Sequence, residues 1–301
     1  MGHGKHPSAM RFVLVVAALC AGRAQAHTLE NVRSSGLELW LACLLLTAAG
    51  LYAWGVHRLW QAAGPNHGVT LYRIAAFAGG WTVLTLALAP PLDPMGAELF
   101  SAHMLQHELL MLVAAPLLVA GSPLAVWAWA MPPRWRRSIA CITHSRGIAA
   151  IWATLTAPLA AWILHAAAIW LWHLPGLFTA ALEHEGVHVL QHFSFLFSAL
   201  LFWWAATRRT SSAGTAASVF YLFTTMVHTG ALGALLVFAP TLWYPVYGTA
   251  PLEWGLQPLE DQQLGGLIMW IPGGLVYAGA AIALMARWLQ THARSGLHRP
   301  A

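Results

Sequence analysis

Charge is scarce in this chain. Asp, Glu, Lys and Arg make up 8% of its 301 residues, whereas 58% are apolar. A soluble domain carries about 25% charged residues, so this composition excludes a soluble globular protein and places the chain in a bilayer. The formal charge is +5, but the basic residues border apolar runs in small groups, where they face lipid headgroups. No basic groove interleaved with aromatics is present, so nucleic acid is not an expected partner. Cysteine is nearly missing: Cys20, Cys43 and Cys141 are the whole set, and no C-x-x-C or C-x-x-C-H occurs. That argues against a disulfide scaffold, thiol redox chemistry and covalent haem attachment. H-E-x-x-H is absent as well, which argues against a zincin protease. Serine triads and phosphate-cradling loops are also missing, and the chain is not read as an enzyme.

The first residues have the form of a secretory signal. Lys5 and Arg11 are basic, Phe12 to Cys20 form a short apolar core, and Ala24-Gln25-Ala26 matches a cleavage pattern. The core is shorter than the roughly 20 residues a helical crossing needs. Residues 1–26 are therefore expected to be cleaved, leaving His27 at the mature start and residues 27–301 as a single transmembrane helical domain.

Seven apolar spans follow, at about 37–56, 71–90, 99–121, 148–171, 187–206, 217–239 and 264–287. Backbone groups in lipid must be satisfied internally, so an all-α polytopic bundle is the expected fold. Arginines such as Arg58, Arg73, Arg134, Arg136, Arg137, Arg208, Arg209 and Arg287 fall in or beside every second loop. Asp93, Glu98, Glu183, Glu185, Glu253, Glu260 and Asp261 fall in the intervening loops. The positive-inside rule then places the arginine loops and the C-terminus in the cytoplasm and the N-terminus outside. A bacterial-type cell (inner) membrane is the expected location.

Two segments do not fit a simple crossing. Ser122 to Met131 is too short to span and is expected to lie along the inner interface, anchored by Trp127 and Trp129. Thr241 to Gln263 reads as the longest outer loop; it contains Trp243, Tyr244, Tyr247 and Trp254 and could cap the bundle. Pro116, Pro158 and Pro272 fall inside spans and are expected to kink them. Gly265-Gly266 and Gly273-Gly274 read as close helix contacts.

Histidine carries the chemistry. His103 and His107 are four residues apart at the start of the third span, and His184, His188 and His192 repeat that spacing at the start of the fifth. Residues four apart share a helical face. The two spans run in the same direction, so their histidines lie at matching depth in the outer half of the membrane. The fourth span adds His165 and, at its outer end, His173. Any one of these could simply bridge helices through a hydrogen bond. Two helices offering the same spacing at one depth point instead to a metal, since imidazole suits copper, zinc and iron. Gln106, Glu108 and Gln191 are candidates to orient the imidazoles, and Glu108 is the one carboxylate well inside a span. Met104 and Met111 offer thioethers, although neither shares the His103/His107 face. Asp261 is expected to attract a cation from outside.

Three blocks add a resemblance. Ala102–Pro123 reads AHMLQHELLMLVAAPLLVAGSP, Trp172–Trp204 reads WHLPGLFTAALEHEGVHVLQHFSFLFSALLFWW, and Asp261–Trp288 reads DQQLGGLIMWIPGGLVYAGAAIALMARW. Together they closely resemble the polytopic CtaG family, assembly factors of caa-type cytochrome c oxidase. Matched by motif, the family positions are His103, Gln106, His107, His173, His184, His188, His192, Asp261 and Gln262. The resemblance implies a role in maturing a haem–copper oxidase at its copper site, with an oxidase subunit or another copper protein as partner beside the lipid bilayer. With His165 added from the histidine pattern, the expected metal residues are His103, His107, His165, His173, His184, His188, His192 and Asp261, and the expected ion is copper. A b-type haem held between facing histidines, a scaffold that binds no metal and a copper permease remain as alternatives. The permease would need ligands through the full membrane thickness, and the inner half offers little beyond His228.

Overall fold

A computed structural model of the chain describes residues 31–207 and 212–296. The expected signal sequence, residues 1–26, lies outside them, as do Arg208 and Arg209. The described residues are helical throughout, joined by turns, with no strand among them. Five helices are long and apolar enough to cross a bilayer singly, and two bent helix pairs raise the number to seven if each pair is one crossing. The chain is an all-α polytopic bundle.

The chain divides into two compact units, residues 1–51 and 52–301. Helix α1 (Asn31–Ala63) contributes to both. In the first unit Leu39, Trp40, Leu44 and Leu46 are exposed apolar side chains, the surface a lipid-facing helix presents.

The second unit holds the other helices. Helix α2 (Leu71–Ala87) is followed by the short α3 (Leu92–Glu98), bent 41° from it around Pro90-Pro91. Helix α4 (Phe100–Gly121) is one candidate span, interrupted by a π-helical stretch at Leu109–Ala114. Pro116 lies just beyond that stretch and offers no N–H to the preceding turn. The short α5 (Pro123–Ala130) buries Val126 and Ala130, so the expected surface segment also packs inward. Val126 meets the backbone of Gly55, where a side chain would collide.

Helices α6 (Pro133–Thr143) and α7 (Arg146–Leu155) bury no side chain. The expected continuous span at 148–171 is instead broken: α7 and α8 (Pro158–Trp172) meet at 61°. The cause is local. Ala157 precedes a proline and is extended (φ −61°, ψ 134°), the conformation that position favours, and Pro158 opens the next helix. Helices α9 (Pro175–Glu183), α10 (Glu185–Thr207) and α11 (Ser212–Val237) follow.

The last helix, α12 (Pro258–Gly296), begins six residues before its expected span. Pro258 is pre-shaped for a first turn, and Glu260 reaches back to the Gln257 N–H at 2.8 Å. Asp261 and Gln262 therefore sit in a helix rather than in a loop. Helices α11 and α12 approach closely at Gly233 and Gly266, where an added Cβ on either would lie 2.8 Å from the other's carbonyl oxygen. The interior of the unit is aromatic: Phe100, Phe178, Phe195 and Phe202 are fully buried, along with His103 and His107.

Candidate metal centre

The centre is built on α4 and α10. Asp261 fixes the start of α4: its carboxylate accepts from the Phe100 N–H at 2.7 Å, the Ser101 N–H at 3.1 Å and the Ser101 hydroxyl. A carboxylate at a helix N-terminus answers otherwise unpaired donors and the helix dipole. Two residues on, His103 projects inward, and His107 follows one turn later, with relative exposures of 0% and 1%. From α10 come His188, which is half-buried, and His192, which is buried.

The four imidazoles form one group. Ring centroids are 4.3 Å apart for His103–His107, 4.2 Å for His188–His192, 5.4 Å for His103–His188 and 5.3 Å for His107–His192. First pairs with first and second with second, the matching that two codirectional helices give. One nitrogen from each of His103, His188 and His192 lies within 4.8 Å of the others. Phe195 packs 4.5 Å from His107 and Phe178 5.1 Å from His103, closing the apolar side.

Hydrogen bonding decides which nitrogens are available. His103 Nδ1 faces the Gly96 carbonyl at 3.3 Å and Nε2 faces Gln191 Oε1 at 3.3 Å, two acceptors of which the single N–H of a neutral ring answers one. A backbone carbonyl on one ring nitrogen is the usual support of a ligand histidine. His107 has neither nitrogen partnered among the described residues, and Nε2 of His188 and of His192 and Nε2 of Gln191 are also without partners. A buried polar atom left unpaired costs about 1–3 kcal/mol. An imidazole lone pair without a hydrogen-bond partner is one a cation can satisfy, and with the nitrogens of His103, His188 and His192 within 4.8 Å of one another the set suits copper or zinc.

The other expected residues lie elsewhere. His173 is buried beside the centre: Nδ1 donates to the Ile169 carbonyl at 2.6 Å, and Nε2 lies 3.3 Å from Met104 Sδ. His165 is buried and joined to Ser198 and Tyr277 instead. His184 is exposed, and its carbonyl accepts from Val187 and His188 at the start of α10. The Asp261 carboxylate is committed to α4. Gln106 turns away from the imidazoles, donating to the Ala87 carbonyl at 2.7 Å and to Asp93 at 2.8 Å. Glu108 faces α12, where a Cβ on Gly273 would lie 3.4 Å from its carboxylate. Met111 contributes its backbone carbonyl, which accepts from Trp203 at 2.9 Å. Of the expected orienting groups, Gln191 alone touches a clustered imidazole.

Sequence reading overlooked two contributions. Asp93 and Glu185 are near enough to His188 to act on it electrostatically, which puts acidic groups at the half-exposed edge of the cluster. Tyr247 donates to the Gly96 carbonyl at 3.2 Å and Tyr244 to the His173 carbonyl at 2.7 Å, so the loop expected to cap the bundle pins both backbone supports of the centre. Its aromatic content was the available signal. Both phenols are held well above their ordinary pKa by burial and stay protonated donors.

An all-α multi-pass membrane protein with a buried four-imidazole cluster shared by two codirectional helices is the class that fold and centre define. Within that class, residues 50–291 match the model of the cytochrome c oxidase caa3 assembly factor family. The chain belongs to that family. Among curated proteins it is similar to "Uncharacterized protein Mb0105" of Mycobacterium bovis and "Uncharacterized protein MT0111" of Mycobacterium tuberculosis. Each is 27% identical over 236 residues, covering 74% of this chain and 35% of that protein. "Uncharacterized protein ML1998" of Mycobacterium leprae is 25% identical over 230 residues, covering 72% of this chain and 34% of that protein. The chain thus spans about a third of the length of these relatives. No solved structure matches.

Proposed function

We propose that this chain takes up copper at the outer face of a bacterial-type inner membrane, holds it at His103, His107, His188 and His192, and passes it to an oxidase subunit during caa3-type assembly. Membership of the assembly-factor family supports the pathway. The observation that carries the metal role is the set of unpartnered nitrogens on His107, His188 and His192.

Copper enters past half-buried His188, where Asp93 and Glu185 concentrate cations. Inside, the ion exchanges water for imidazole, and the nitrogens that lack partners gain one. His103 keeps its Nδ1 contact with the Gly96 carbonyl and exchanges the Gln191 contact at Nε2 for the ion. Release is the same exchange in reverse: an incoming ligand of the oxidase subunit replaces one imidazole at a time, with no net bond chemistry on the protein. Phe178 and Phe195 pack directly on the rings, which favours a bare ion over a flat macrocycle.

The test is metal content and a visible spectrum on detergent-purified protein, compared with His103→Ala/His107→Ala. Copper in the parent, lost in the double variant and without a haem band, is the expected result. A haem band would replace the proposal with electron transfer. Absence of both after copper loading would leave an assembly scaffold that binds no metal.

A further inference from the structure

His173 and Met104 stand beside the imidazole cluster and do something the cluster does not. His173 is the residue at which α8 ends. Its position is fixed twice, by Nδ1 donating to the Ile169 carbonyl at 2.6 Å and by its own carbonyl accepting from Tyr244 at 2.7 Å. A carbonyl oxygen only accepts, so the ring proton resides on Nδ1 and Nε2 of the neutral ring carries a lone pair. That lone pair points at Met104 Sδ, 3.3 Å away. A thioether sulfur has no hydrogen to offer. Two lone-pair atoms, one nitrogen and one sulfur, therefore face each other in the interior. Met104 is 0% exposed and His173 3% exposed, so water is not the ready partner for either.

We infer that His173 Nε2 and Met104 Sδ form a second, mixed imidazole–thioether position that selects Cu(I), adjacent to the all-imidazole cluster and serving as a neighbouring station for the ion. This rests on the copper reading of the cluster. Thioether and imidazole together favour Cu(I), whereas imidazole alone accepts zinc and Cu(II) as readily. The Met104 side chain is unbranched and flexible, and can open to admit an ion. Its Cγ packs on Gly265 of α12, where an added Cβ would lie 3.1 Å from it. The proton on Nδ1 stays in place, so binding consumes and releases no proton and changes no oxidation state. Met104 follows His103 directly in α4, so an ion leaving this pair meets a cluster ligand on the same turn.

The experiment loads the detergent-purified full chain with Cu(I) without oxygen and measures copper X-ray absorption for the parent and for Met104→Leu, with Zn(II) binding measured alongside. A sulfur ligand is expected in the parent and not in Met104→Leu. That variant should lose about tenfold or more in Cu(I) affinity while its Zn(II) affinity stays within about twofold. Copper bound by nitrogen alone in the parent would overturn this inference and leave the cluster reading intact. Sulfur that persists in Met104→Leu would overturn it too. No copper bound at all would overturn both. Should Met104→Leu fail to fold, His173→Gln takes its place, and sulfur retained there beside unchanged Cu(I) affinity would overturn the pair.

Discussion

Two buried polar groups share helix α10 and could hardly be more different in how their hydrogen bonds close. Around His165 every hydrogen has somewhere to go. Tyr277 donates to His165 Nε2 over a long 3.5 Å, His165 Nδ1 donates to Ser198 Oγ at 3.1 Å, and Ser198 donates to the Phe195 carbonyl at 3.2 Å. Around His107 neither ring nitrogen has a partner among the described residues, and His188 and His192 each have one nitrogen in the same state. Both groups are histidine deep in a helical membrane protein. The first is a finished hydrogen-bond chain that ties α8, α10 and α12 together. The second leaves its ring nitrogens unanswered. Burial alone does not mark a site; unanswered donors and acceptors converging on one point do.

The contrast breaks most visibly under His103→Ala/His107→Ala, which should abolish copper retention and oxidase maturation, read by metal analysis and oxidase activity in membranes. The single substitution His107→Ala should lower copper affinity at least about tenfold. Without metal it should cost little stability, because it removes two unpaired polar atoms along with the ring. His165→Ala should do the opposite. It strands the Ser198 and Tyr277 hydroxyls, so thermal unfolding in detergent should show a loss of about 1–3 kcal/mol, with copper stoichiometry unchanged. Asp261→Ala should cost roughly 1–2 kcal/mol by removing the acceptor at the start of α4, and should weaken copper binding only through that helix. His184→Ala is the smallest case: its ring is exposed and outside the cluster, so copper affinity should stay within about twofold. A large loss there would mean that His184 joins the centre.

Much of the centre was legible in spacing. His103/His107 and His188/His192 have to share faces once both segments are helical, and their common depth follows from two codirectional spans. Spacing could not separate His165 from the cluster. A helix shows which residues share its own face but not which neighbour that face meets, and His165 meets Ser198 of α10 rather than His192. Asp261 was misplaced for another reason. The expected last span began where apolar residues become continuous, at about 264, whereas capping starts the helix at Pro258 and turns the carboxylate toward the backbone of α4. The break at Pro158 was signalled by the proline, but its 61° size depends on Ala157 leaving the helical region entirely. Met104 was set aside because it lies off the His103/His107 face; that same offset directs it at His173.

The bond from Asp261 to the first nitrogens of α4 has a mechanical meaning. The last helix and the histidine helix share a fastening two residues before His103, and Gly233 and Gly266 lock that last helix against α11 with no room to slide apart. A client that leans on the α11–α12 pair must either carry the start of α4 with it or tear the fastening open. The tilt of that helix pair thereby bears on the start of the helix that carries His103 and His107, so a load applied to α11 and α12 reaches the imidazoles without contact at them.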